Sequence, residues 1–181
     1  MEQQDVTTPV TTKSAGIRFG LIGAVVGIAY FIILQVAGLD MQGPAGWVGY
    51  LFTAALIFFA HKYYKENGDG FLNYSQGIGI AFWLGLISGV ISSIFTYIYV
   101  KFIDAGFIDK IKDQQYEQMQ SQGMSDEQIE QAMKIAGAFT SPEVMLIMGL
   151  LGSILVTVVI ALIITLITQN KRPDTGGALD A

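Results

Sequence analysis

Long apolar stretches alternate with short polar ones along this chain. Four of them, 19–39, 41–60, 70–100 and 144–170, run 21, 20, 31 and 27 residues without an Asp, Glu, Lys, Arg or His. A helix rises about 1.5 Å per residue, so roughly 20 apolar residues cross a hydrocarbon layer about 30 Å thick. All four stretches reach that length. None shows the alternation of apolar and polar residues that a membrane β-barrel requires. The pattern therefore predicts an all-α integral membrane protein, a four-transmembrane-helix bundle with spans over 17–39, 45–60, 77–100 and 144–168. The second span is the weakest, because Gly43-Pro44-Ala45-Gly46 blurs its start and its apolar part is short. A re-entrant segment is the competing reading there. The first stretch is longer than the 7 to 15 residue core of a secretory signal and follows a polar tail, so it is read as an uncleaved span.

Between spans three and four the pattern changes to Gln, Glu, Asp and Lys with sparse apolar residues. Ile108, Ile111, Tyr116 and Met119 recur at roughly helical spacing until Gly123 interrupts them. Ser125-Asp126-Glu127-Gln128 then fits a capping box, and Ile129, Ala132, Met133 and Ala136 make an amphipathic face. The expectation is a helical hairpin over about 104–140. Its contact residues would be Met119, Ile129 and Met133, resting on the bundle end or anchoring a partner. Ser141-Pro142-Glu143 restarts the chain as cap, first helical residue and dipole-matching acid. Asn67-Gly68-Asp69-Gly70 is turn chemistry, and residues 71–77 are expected to form a short interfacial helix entering span three.

Orientation follows from Lys and Arg in short flanks. Lys13 and Arg18 precede span one, Lys62 and Lys65 follow span two, and Lys171 and Arg172 follow span four. Both termini are therefore expected in the cytoplasm, with the hairpin outside. Its four lysines sit among eight carboxylates over the 43 residues 101–143. Residues 1–14 and 173–181 are expected to be mobile cytoplasmic tails around a single membrane domain, 15–172.

Inside the spans, small residues repeat at helical spacing. Gly16, Gly20, Gly23 and Gly27 share one face of span one. Gly77, Ala81, Gly85 and Gly89 do so in span three, and Gly149, Ser153, Thr157 and Ala161 in span four. Lipid tails are as apolar as Leu, so helices in a bilayer associate by close approach, which small residues permit. These stripes are expected to be helix-packing seams, with an oligomer or partner interface, or the lining of a conduit, as the alternatives.

Composition then removes whole classes of chemistry. With no Cys there is no disulfide framework, thiolate metal site or Cys nucleophile. His61, the single His, cannot alone build a multi-His metal site, so neither metal nor cofactor is expected. Ten basic against fifteen acidic residues, net −5, argue against nucleic acid as a partner. A cation site among Asp104, Asp109, Asp113 and Glu117 is disfavoured, since helical spacing disperses ligands that Ca²⁺ needs converged. Charged residues inside spans mark most transporters, pumps and membrane enzymes, and the four runs hold none.

The Gly70-Phe71-x-x-Tyr74-x-Gln76-Gly77 entry to span three is followed by an exit over 97–104 into the Glu/Gln-rich segment. With the hydroxyl-rich last span ending at Lys171-Arg172, these features resemble a bacterial inner-membrane family, domain of unknown function 4199, across about 15–172. The resemblance implies a four-span inner-membrane protein and transfers no activity. The expected function is a non-enzymatic accessory or scaffold protein, embedded in the lipid bilayer and assembling with itself or with a membrane-protein partner. The alternatives are a small oligomeric transporter or channel, and an enzyme at the outer interface using Asp104 or Glu143.

Overall fold

The computed structural model describes residues 10–39 and 43–172. The expected tails lie outside the described residues, except for 10–14. Six α-helices follow in order: α1 (Thr12–Ala37), α2 (Pro44–Glu66), α3 (Tyr74–Ile98), α4 (Phe107–Ser121), α5 (Asp126–Gly137) and α6 (Pro142–Thr168). A π-helical turn, Tyr99–Ile103, extends α3. Among the described residues there is no strand, only one antiparallel bridge between Leu72 and Asn170. The fold is all-helical, and four helices (α1, α2, α3 with its π-turn, and α6) are long and apolar enough to cross a membrane. By that measure the chain is a multi-pass membrane protein.

Helix ends depart from the apolar runs where local chemistry extends them. α1 begins five residues before the expected span, because Thr11 Oγ1 accepts from Ser14 N at 3.0 Å while Ser14 Oγ accepts from Thr11 N at 2.9 Å. α2 starts on Pro44, whose missing N–H is free at a helix start, and continues past Ala60 through His61 to Glu66 as one helix. The interfacial helix expected over 71–77 does not form. Leu72 instead exchanges backbone hydrogen bonds with Asn170, at 2.9 and 2.8 Å, and the helix begins only at Tyr74. Asn73 caps it, accepting from Gln76 N while its own N–H donates to Gln76 Oε1. α5 opens on the expected Ser125/Gln128 box.

The chain forms two compact units, one within Met1–Ser88 and Ser153–Ala181, the other Gly89–Gly152. In the first, α1 packs on α2 over a core that includes Ala15, Ile57, Ala60, Ile80, Ala81 and Ala161. Alanines make up half of that core, beside Ile57, Leu72, Ile80 and Leu84, while many other large side chains point away. Val25, Trp47, Leu51, Leu155, Ile163 and Ile167 are all at least half exposed on the bare chain. That inversion suits lipid as the outer solvent, since burying Leu against Leu gains little there and close backbone approach gains more. In the second unit α4 packs on α5, and Val100, Phe107 and Ile129 are buried.

Candidate functional site

Two of the small-residue stripes mark places where backbones nearly touch. A Cβ on Gly16 would collide with Trp83 Cβ and lie 2.6 Å from the Ile80 carbonyl oxygen; on Gly20 it would lie 2.8 Å from Ile87 Cβ and 2.9 Å from the Leu84 oxygen. These two glycines seat α1 on α3. Gly23 is half-buried and faces Leu56 of α2 at 3.3 Å, while Gly27 is exposed. On its other flank α3 meets α6. Gly77 abuts Thr165, and a Cβ on Gly85 would come within 2.9 Å of Thr157 Cβ and 3.2 Å of Ile154 Cα. Ala81 and Ala161 are buried in the same core. Ser153 Oγ donates across this contact to the Gly85 carbonyl at 2.8 Å. Thr157 donates back along its own helix to Ser153 O at 2.7 Å. In the second unit Gly89 is buried, and Gly149 is exposed with Ser93 Oγ 3.0 Å from its Cβ position.

The hairpin residues singled out above lie in that second unit. Ile129 is 1% exposed, and Met119 and Met133 are half-buried. The two acids considered for an interfacial enzyme are both engaged: Asp104 pairs with Lys110 at 2.9 Å and Glu143 with Lys101 at 3.4 Å. The hydrogen bond that Lys110 donates to Asp104 holds the lysine above its ordinary value. Among the described residues no group of three or more potential ligands converges on a metal position.

The polar centre that sequence reasoning set aside is His61. The side chain is completely buried where α2, α3 and α6 meet. Its Nδ1 lies 2.7 Å from Thr168 Oγ1, and its Nε2 lies 3.1 Å from the Gly77 carbonyl oxygen. Lys65, one turn on, donates to the Thr168 carbonyl at 3.0 Å, satisfying an orphan acceptor at the end of α6. Thr165, also fully buried, presents its hydroxyl toward Gly77 with no hydrogen-bond partner among the described residues. A usable signal existed in the sequence. Ile57, Ala60, His61 and Tyr64 follow i, i+3, i+4, i+7, so His61 continues the inward face of α2 rather than ending it.

A clasp closes this end of the unit. Arg172 pairs with Asp69 at 2.6 Å and lies over the Phe71 ring, and Asn170 Nδ2 donates to the Gly70 carbonyl. Arg18 sits 4.5 Å from the Tyr63 ring centroid, with Nη1 donating to the Tyr63 hydroxyl, and Lys13 lies over Trp83. Cations stacked on aromatic faces suit a headgroup layer, where rings and charges share a wet boundary.

Residues 18–170 match the profile of a family described as protein of unknown function (DUF4199). No curated protein and no solved structure matches the chain.

Proposed function

We propose a function for a chain that belongs to the DUF4199 family, which passes no activity to it: a non-enzymatic accessory or scaffold protein of the inner membrane. Its four spans form one bundle with both termini cytoplasmic and the α4–α5 hairpin outside. It works by assembling with itself or with a larger membrane complex. One observation carries this reading. Four hydroxyls within the spans donate to main-chain carbonyls: Tyr30 to Ala45 at 2.6 Å and Ser153 to Gly85 at 2.8 Å across helices, Ser88 to Leu84 and Thr157 to Ser153 along their own helix. The first two tie helix to helix and the other two satisfy their hydroxyls locally, which leaves the apolar outer faces, and the two membrane-level ends, as the surfaces for other molecules.

Crosslinking in intact membranes, followed by mild solubilisation and identification of what is captured, tests the assignment. A reproducible partner or a defined homo-oligomer is the expected result. Solute or ion flux in liposomes holding only this protein would replace it with the second reading, a small oligomeric transporter or channel. What favours that second reading is His61, an ionisable side chain buried within a membrane-crossing helix. Orientation is tested separately. The chain has no Cys, so Gln114→Cys should react with an impermeant maleimide from outside, and Lys62→Cys only after permeabilisation.

A further inference from the structure

We propose that His61, with Thr168 and Thr165, forms a proton-binding site at the junction of α2, α3 and α6. This goes beyond the assembly role and does not depend on it. The argument is an inventory of hydrogens. The Gly77 carbonyl can only accept, so Nε2, 3.1 Å away, carries a hydrogen in every state of the site. The Thr168 hydroxyl has one hydrogen and two possible recipients: His61 Nδ1 at 2.7 Å and the Ile164 carbonyl at 2.9 Å. When it donates to Nδ1, the ring is neutral in the Nε2–H form. When it donates to Ile164 O, its oxygen is free to accept from Nδ1–H, and the ring is an imidazolium.

Both states keep each ring nitrogen hydrogen-bonded, so taking up a proton requires only a rotation of one hydroxyl. Many buried imidazoles are held in a single form because one state would orphan a donor. Here neither does. The unpartnered Thr165 hydroxyl, buried beside the same Gly77, adds a second polar group at the site that helix packing leaves unused. Protonation at Nδ1 would turn the Thr168 O–H from His61 on α2 to the Ile164 carbonyl on its own helix, reversing the direction of the bond that ties α2 to α6.

The charged groups around the site are few. Lys65 on α2 is nearest, held on the Thr168 carbonyl. α3 has no charged residue, and the one on α6, Glu143, is at its other end. Arg172 is neutralised by Asp69, and on α1 Lys13 and Arg18 lie over aromatic rings. Tyr74 at the start of α3 donates to the Leu162 carbonyl.

Because His61 is the only His, nitrogen NMR of the full chain, labelled at histidine in lipid nanodiscs, reads this site without ambiguity. At alkaline pH the spectrum should show a protonated Nε2 and a bare Nδ1. As the pH is lowered it should convert reversibly to a ring with both nitrogens protonated. Thr168→Val keeps the shape but removes the acceptor for Nδ1–H, and should weaken proton affinity about tenfold, a shift of about one pH unit. Thr168→Ser should restore it. A ring that stays in one form throughout, or that carries its neutral hydrogen on Nδ1, would overturn the proposal. So would a titration that Thr168→Val leaves unmoved. If Thr168→Val does not fold, the parent and Thr168→Ser spectra decide alone.

Discussion

Gly16→Ala isolates the close approach of α1 to α3 with a single methyl group. The added carbon would meet Trp83 Cβ and lie 2.6 Å from Ile80 O and 3.2 Å from Leu84 N. A comfortable carbon contact is about 3.5–4.0 Å. Two of the three obstructing atoms are backbone and the third is a Cβ, so no side-chain rotation relieves the clash. The helices must separate by roughly an ångström, and overpacking of that kind costs about 1–3 kcal/mol. Alanine returns up to about 1 kcal/mol through helix propensity. The net expectation is a loss of about 1–2 kcal/mol, which for a chain of this length lowers the thermal midpoint by about 2–8 °C. Gly152→Ala is the control, since a Cβ there meets nothing within 4 Å and it also sits in a membrane-crossing helix. It should be neutral or slightly stabilising. Both variants are measured by thermal unfolding in one detergent, alongside the parent. Equal midpoints for Gly16→Ala and Gly152→Ala would refute the claim that backbone contact, rather than general apolarity, seats α1 on α3.

Other outcomes follow from single contacts. Gly85→Leu should be far worse than Gly85→Ala, because the longer side chain has Thr157 and the Ile154 backbone in its path; unchanged detergent stability for the Leu variant would contradict the α3–α6 seam. Ser153→Ala removes one bond to the Gly85 carbonyl and should cost only about 0.6 kcal/mol, the usual size for interhelical bonds in membranes, as read by denaturant titration in bicelles. Asp104→Asn should let Lys110 fall back toward the ordinary lysine value, observable in the carbon NMR titration of its side chain. The sign is fixed by the direction of the shift: whatever stabilisation the pair gives is present at neutral pH and is lost only as pH rises through the raised lysine value. Arg172→Ala breaks an exposed pair with Asp69 and should change stability by less than about 1 kcal/mol in a melting experiment.

Much of the architecture was legible because it depends on local composition. Four uncharged runs announce four long helices whatever surrounds them, and the Ser125-x-x-Gln128 and Ser141-Pro142 signals set helix starts through bonds within a few residues. The errors fall where a distant segment intervenes. Phe71 to Asn73 have the composition of a helix entry, but pairing of Leu72 with Asn170, 98 positions away, draws the chain extended. By contrast, periodicity places Ile129 on the apolar face of α5, and it is buried.

Sequence by itself determined the solvent of this protein and its secondary structure, because span length and the exclusion of charge report directly on transfer from water to hydrocarbon. A glycine stripe, however, states only that something comes close. That Gly16 and Gly20 receive α3, while Gly77 and Gly85 receive Thr165 and Thr157 of α6, was decided by the tertiary structure. The same holds for His61. Its burial is stable only because a carbonyl from α3 and a hydroxyl from α6 arrive at its two nitrogens together, and no local pattern in α2 encodes partners 16 and 107 residues away.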